Sequence, residues 1–594
     1  MKLQIEEFLR TFTAAAIGAF AVDTLAALQS NREGTPHRLA PRSSALVTSL
    51  FASALIAAGL IASASVQAAL LPDRIAKAAQ DHVEAGEYPA LVIGYVDGGK
   101  TEVDAFGKLD DGKAPDADTV FEIGSITKTF TATLLAREAK AGKLKLDEPV
   151  ASLLPGFKIP SRNDRQITLL DLADQHSGLP RLPTNLAPSD NADPYADYDG
   201  AKLKTFLAKY ELTRDPGQSY EYSNLGVGLL GFALAQHAHK NYGALLDEKI
   251  FAPLGMTSSG VAFSARMRAH LAAGHDEEGK PAKNWDFDAL AGCGAIRSST
   301  TDMMRYLQAN MGRRSDALGA AMKFAQEPRR DIGKDSRIGL AWMTLTRDGT
   351  SVIWHNGGTG GYRSFLGFTT DGKRGVVIMT NIAVGVDELG FAALVDGATL
   401  TPAHKLANVD AKTLDDFVGT YKLGDNFLLD ISRKDDQLFA QATGQGAFPI
   451  FASAPNVFFA RVAAISITFE RDAQVKVTGL VLHQNGDRRA PKLSAGDIAK
   501  ATSSTTLDDA VLQNYVGQYQ LAPGVAFDVT VKDHQLYVQL TGQPAYPVRA
   551  SAKDRFFYTI VDAQLDFERD AKGAVVAVTL HQNGQSPRAP RVKP

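Results

Sequence analysis

The stretch Phe121-Glu-Ile-Gly-Ser125-Ile-Thr-Lys128-Thr-Phe130 decides how this chain is read. A serine stands three residues before a lysine, at the head of a segment with helical periodicity from Thr127 to Lys140 that ends before Gly142. At that spacing the two side chains share one helical face, one turn apart. Such a pair is a nucleophile with a base built in, provided that burial or neighbouring positive charge lowers the lysine pKa. The spacing alone decides little, because chance supplies Ser-x-x-Lys about once or twice in a chain this long.

Two further clusters lie downstream. Tyr220-Glu-Tyr222-Ser-Asn224 follows Asp215-Pro-Gly217, and Trp354-His355-Asn-Gly-Gly-Thr-Gly-Gly-Tyr362 comes near the end of the mixed segment. Ser125-x-x-Lys128, Tyr222-x-Asn224 and His355-x-Gly357, in that order, resemble the motif set of the penicillin-recognising serine hydrolases. That family includes serine β-lactamases, D,D-carboxypeptidases, related esterases and D-aminopeptidases. The flanks fit as well. His176-Ser-Gly-Leu-Pro180 resembles a conserved-motif region of the family, one residue shorter here. Ala291-Gly-Cys-Gly with Ser-Ser-Thr-Thr-Asp302 resembles another. The resemblance covers about Leu70 to Leu400.

The residue types then take roles. Ser125 attacks a carbonyl and forms an acyl-enzyme, and Lys128 receives or shares its proton. Tyr222 relays a proton to the leaving group, with positive charge nearby to support a phenolate. Tyr220 competes for that role, but only Tyr222 has an asparagine two residues on. Asn224 holds Lys128 and the substrate amide. His355 stands where β-lactamases carry lysine, and the glycines after it let substrate backbone approach. By the resemblance, the amides of Ser125 and Gly358 form the oxyanion hole, each such donor being worth about 3–4 kcal/mol in the transition state. His176 reads as a structural residue at a helix end.

Bulk composition narrows the field. With 594 residues, 45% apolar and 22% charged, the chain has the makings of several soluble domains. A net charge of −3 gives no polyanion-binding bias, so no nucleic-acid partner is expected. One cysteine, Cys293, excludes an internal disulfide and reads as a small packed residue. The twelve histidines show no zinc spacing, so no metal or cofactor is expected.

Arg38 and Arg42, an apolar run from about Ala45 to Ala62, and Val66-Gln-Ala68 form the n-region, h-region and cleavage site of a signal peptide. Residues 1–68 are thus read as an extension plus signal, cleaved near Ala68, with the mature protein periplasmic or secreted. A membrane is met only if the signal is retained. The residues ahead of the signal, with Glu6, Glu7 and Asp23, fit a start codon assigned too far upstream.

Residues 69–400 mix helices and strands. Pro89–Val96, Thr101–Phe106, Ser351–Trp354, Phe365–Thr369 and Gly375–Asn381 read as strands, with helices at Thr127–Lys140, Leu169–Ala173, Asn224–His237 and Thr301–Asn310. The fold expected is α+β, an antiparallel sheet flanked by helices, as in the β-lactamase and transpeptidase group. A linker at 401–413 follows. Beyond it Val418-Gly-Thr-Tyr421 recurs as Val516-Gly-Gln-Tyr519, Phe469-Glu-Arg-Asp472 as Phe567-Glu-Arg-Asp570, and His483-Gln-Asn-Gly486 as His581-Gln-Asn-Gly584, always 98 residues on. Short alternating segments between turn residues predict two small lipocalin-like β-barrels, at 414–495 and 507–594. His483 and His581 sit where a strand meets an Asn-Gly turn, and Phe458-Phe459 and Phe556-Phe557 read as core.

A catalytic domain followed by two barrels resembles D-aminopeptidases, in which a barrel loop reaches the site and limits substrate length. The histidine in place of lysine points the same way. The expectation is an exported serine peptidase for peptides with D- or non-standard residues, such as peptidoglycan fragments or opened cyclic peptides. A broad carboxylesterase or β-lactamase, or a non-hydrolytic penicillin-binding sensor, are the alternatives. The partner is a small peptide or ester substrate, and the sequence leaves the oligomeric state open.

Overall fold

A computed structural model describes residues 69–594 apart from 425–426, 444, 462–464, 485, 502–504, 523–524, 542, 544, 559–560, 562, 583–584 and 593–594. The predicted signal segment and the Asn-Gly turn of the second repeat lie outside the described residues.

The sheet of residues 69–400 is built from both ends of that segment. Helix α1 (Asp73–Glu84) leads into strands β1 (Ala90–Asp97) and β2 (Lys100–Gly107). The short strand β3 (Val120–Glu122) precedes helix α2 (Thr127–Lys140), and helix α3 (Asn224–His237) follows later. Strand β4 (Arg297–Ser299) pairs with β3 and runs into helix α4 (Thr300–Asn310). Strands β5 (Arg330–Gly333), β6 (Ser336–Ile338), β7 (Met343–Arg347), β8 (Thr350–Gly358), β9 (Arg363–Thr369) and β10 (Arg374–Thr380) complete the sheet, and helix α5 (Asp387–Leu394) packs on it. The order is β2-β1-β10-β9-β8-β7-β6-β5, antiparallel throughout. Strand β1, between the edge strand β2 and β10, is buried on both faces, which is why Ala90-Leu-Val-Ile-Gly-Tyr-Val96 reads as a continuous apolar run. The α+β expectation holds, and helices α2 and α3 occupy the spans their periodicity predicted.

Helix α3 is buried nearly all round. Its glycines let it pack at backbone distance: a Cβ on Gly231 would stand 2.7 Å from the Cα of Gly292. That approach carries the 291–293 turn against α2, where Thr131 Oγ1 donates to the Gly292 carbonyl at 2.7 Å.

Each repeat forms one eight-stranded antiparallel sheet, running from Gly419–Gly424 to Asp487–Pro491 and from Gly517–Ala522 to Arg588–Pro590. Bridges from Tyr421 to Lys492 and from Tyr519 to Arg591 bring first and last strands together, so the barrels are nearly closed. The buried Tyr421 hydroxyl donates to the Phe417 carbonyl at 2.6 Å, and Tyr519 repeats the bond to Tyr515 at 2.7 Å. Phe458, Phe459, Phe556 and Phe557 are buried core residues. His483 bonds Thr468 and Asp487 beside its own turn, and His581 bonds Ser586, so both serve local structure.

The linker is tied down rather than free. Glu87 is buried after α1, and its carboxylate accepts from the His404 backbone N–H at 2.7 Å and pairs with His82 and the His404 ring. His404 stacks on Phe459 of the first barrel at 4.3 Å, and Arg461 donates to the carbonyls of Glu277 and Gly86. A helix, Ala411–Phe417, occupies the far end of the predicted linker, capped by Asp410.

Burial opposes ionisation of Glu87, but hydrogen bonds from His404 and His82 outweigh it and hold the carboxyl at about 2. Burial likewise opposes protonation of His82, yet Glu87 raises its pKa above the ordinary value. Glu87 therefore stabilises the fold above its unfolded pKa near 4.5, an effect lost as pH falls towards 2. The His82 contribution is full below 6.5 and lost as pH rises through its raised value. Glu87→Gln is expected to cost on the order of 2–3 kcal/mol near pH 6 and to open the 401–410 segment to protease. Thermal unfolding against pH and timed proteolysis check both effects; equal stability and equal cleavage would contradict the clamp.

Candidate active site

Ser125 does not lie on helix α2 itself. It sits on the single 3-10 turn Gly124–Ile126 ahead of it, because Gly124 takes a left-handed φ of +50° and bends the chain between β3 and α2. The bend brings Gly124 against the end of β8. A Cβ on Gly124 would lie 2.5 Å from the Gly358 nitrogen, and one on Gly357 would collide with the Ile123 carbonyl. Ser364 Oγ donates to that same carbonyl at 2.9 Å. The strand before the bend is anchored by buried Glu122, which accepts from the Trp285 N–H at 2.9 Å and lies 3.5 Å from Arg297.

Lys128 is fully buried in the first turn of α2. Its Nζ donates to Ser125 Oγ at 2.9 Å, to Asn224 Oδ1 at 2.9 Å and to the Cys293 carbonyl at 2.8 Å. Three oxygens from separate parts of the chain thus enclose the nitrogen. The Asn224 amide nitrogen in turn donates to the Tyr195 hydroxyl at 3.0 Å, so both ends of that side chain are engaged within the protein.

Asn224 owes its place to a loop that sequence reading used only as a flank. Ser223 caps α3 by accepting from the Gly226 N–H, and its hydroxyl donates to the Pro180 carbonyl at 2.7 Å. The Leu225 N–H donates to the Arg181 carbonyl, and the N–H groups of Glu221 and Ser223 bond Gln175. His176 is buried, its Nδ1 2.7 Å from the Asp174 carbonyl, and supports this loop as a structural residue.

Tyr222 is brought to the same place. Its ring centroid is 4.8 Å from Lys128 Nζ, 5.2 Å from the Arg181 guanidinium carbon and 6.4 Å from the His355 ring. Tyr220 points elsewhere, its ring against His176 at 5.9 Å. His355 lies within β8, buried, with Nδ1 2.6 Å from the Asn356 carbonyl. Burial first, then the Lys128 charge, push its pKa down to about 3, so it is a neutral imidazole at physiological pH and adds no cation to the site. The next residue, Asn356, donates to half-buried Asp387 at the start of α5 at 2.6 Å, fixing the strand end.

The structure thus gathers Ser125, Lys128, Tyr222, Asn224, His355, Gly357 and Gly358 into one site. Sequence reading missed Tyr195 and its stacking partners Phe287, at 4.6 Å, and Trp285, at 5.5 Å. It also missed that Cys293 matters through its carbonyl, while burial pushes its thiol pKa up. Burial, and then the Glu221 carboxylate, raise the Tyr546 phenol of the second barrel. Among the described residues no group of three or more acidic, histidine or cysteine side chains could hold a metal.

Gly124→Ala combines a strained φ with a backbone collision and is expected to slow acylation of Ser125 at least about 100-fold in protein that still folds. Labelling by a fluorescent penicillin, with circular dichroism as the folding control, measures it. Wild-type labelling would show that the backbone approach is dispensable.

Comparison with known proteins fits this geometry. The Beta-lactamase family profile matches residues 75–399, and a domain of unknown function (DUF3471) matches 403–494 and again 501–589. The D-alanyl-D-alanine-carboxypeptidase/endopeptidase AmpH of Escherichia coli (strain K12) is 27% identical over 326 residues, 50% of this chain and 83% of that protein. Penicillin-binding protein 4* of Bacillus subtilis (strain 168) is 23% identical over 388 residues, 59% of this chain and 82% of that protein. The crystal structure of a Beta-lactamase/D-alanine carboxypeptidase from Yersinia pestis, complexed with citrate, covers 53% of this chain and 93% of its own at 25% identity, with a TM-score of 0.48. With more than half of its length matched and the serine–lysine–tyrosine constellation assembled in that half, the chain belongs to the Beta-lactamase family.

Proposed function

We propose that this chain is an exported serine hydrolase that acts through an acyl-enzyme on Ser125, and that its substrates are short peptides with D- or other non-standard residues, such as peptidoglycan fragments. The observation that carries the reading is the Lys128 nitrogen held 2.9 Å from Ser125 Oγ inside a buried, fully bonded cage. The name of the Escherichia coli relative, a carboxypeptidase and endopeptidase, supports the peptide choice.

The steps follow from the groups present. Ser125 Oγ, oriented by Lys128, attacks the scissile carbonyl, and its proton passes to the Tyr222–Lys128 pair. The backbone amides of Ser125 and Gly358, brought together by the Gly124 bend, receive the oxyanion. Tyr222 returns the proton to the leaving amine as the C–N bond breaks. Water then attacks the ester and gives its proton to the same pair, which passes a proton to Ser125 Oγ as the acyl C–O bond breaks and frees the acid product. Asn224 holds Lys128 in register, and neutral His355 shapes the wall beside Tyr222.

Digestion of a peptide library by residues 69–594, read by mass spectrometry, tests the reading. Cleavage beside D-residues that disappears in Ser125→Ala is the expected result. Turnover confined to p-nitrophenyl esters or to a chromogenic cephalosporin would replace the peptidase with the esterase or β-lactamase alternative. A stable penicillin adduct without turnover of any substrate would identify a sensor.

A further inference from the structure

Three basic groups surround the Tyr222 ring, and two are already committed. Lys128 spends its three N–H bonds on Ser125, Asn224 and Cys293. His355 is buried and neutral. Arg181 differs from both. Its residue is exposed, and its guanidinium carbon lies 5.2 Å from the Tyr222 ring centroid. Among the described residues its side chain makes no ion pair and no hydrogen bond. The carboxylates nearest in sequence and fold are taken: Glu221 pairs with Arg214, and Asp171 and Asp174 with Arg330. Five donors on a planar fork are therefore free at the mouth of the site.

The position is fixed by backbone, not by chance packing of a long side chain. The Arg181 carbonyl accepts from the Leu225 N–H at 3.2 Å, one residue after Asn224, and the preceding Pro180 carbonyl accepts from Ser223. Arg181 is thus stapled to the same turn that carries Tyr222 and Asn224. Its charge also acts on Tyr195, Tyr220 and Cys293, on several sides of the site.

We propose that Arg181 reads a carboxylate on the substrate, forming a bidentate pair with it beside Tyr222, in place of a cation on strand β8. This rests on the acyl-serine reading above. A guanidinium suits a planar carboxylate, and one that pairs with no carboxylate among the described residues keeps its fork for a substrate. The chemistry recognised is a free carboxylate close to the scissile carbonyl, as at the C-terminus of a short peptide or on the ring of a penicillin.

The test compares benzylpenicillin with its methyl ester, measuring second-order acylation of the full chain by intact-protein mass spectrometry. Wild type is expected to prefer the acid, and Arg181→Gln to lower the acid-to-ester rate ratio about 10–100-fold. Arg181→Lys, which keeps the charge but not the fork, should recover part of the ratio. An unchanged ratio in Arg181→Gln, or an equal loss on acid and ester, overturns the carboxylate role while leaving acylation of Ser125 intact; the equal loss would place Arg181 behind Tyr222 instead. Failure of wild type to be acylated by either compound overturns this inference together with the acyl-serine reading.

Discussion

One buried nitrogen sets the terms for the rest of the catalytic domain. Lys128 Nζ is shielded from water and held by three oxygens that come from three parts of the chain: the bend before α2, the first residue of α3 and the turn at Cys293. A buried cation without such partners would cost several kcal/mol. The fold must therefore deliver all three acceptors at once. Glycines make this possible, at Gly231 and Gly292 where helix meets turn and at Gly124 where the bend meets β8. Ser125 becomes addressable because it is one of the oxygens that satisfy the lysine.

The electrostatics of the site then divide by depth. At the bottom sits the Lys128 nitrogen with its three oxygen partners; beside it a histidine kept neutral by burial and by the Lys128 charge; at the rim an arginine that, among the described residues, pairs with no carboxylate. Tyr222 lies among all three. Such a gradient keeps the reacting atoms in a fixed, water-poor field while leaving charge recognition to the exposed side. Neutrality of His355 carries a stability consequence too. Below its ordinary pKa of 6.5 the unfolded chain takes up a proton that the folded chain refuses until about 3, so acid weakens the fold across that interval.

Much of this was legible in the sequence, for reasons that can be named. Helices α2 and α3 begin and end where their periodicity and caps say, because Ser223 and Gly142 punctuate them in the chain itself. The barrels announced themselves through a constant 98-residue offset, and the order Ser-x-x-Lys, Tyr-x-Asn, His-x-Gly placed the site on residue type alone. What stayed hidden depends on burial or on backbone. No pattern of side chains shows that the carbonyl of Cys293 faces Lys128, that His355 is too buried to charge, or that Glu87 draws His82 and His404 together from more than 300 residues apart. Arg181 belongs to no motif, and its place beside Tyr222 shows only in the fold. Tyr195 and Trp285 sit in loops with no periodicity, and only their stacking reveals them.

The most direct measurement is peptide mapping of protein quenched in acid during turnover of a peptide substrate. The account predicts an acyl mass increment on the tryptic peptide spanning residues 114–128, placed on Ser125 by fragmentation. An unmodified peptide under conditions of rapid turnover, or an adduct on any other residue, would contradict it.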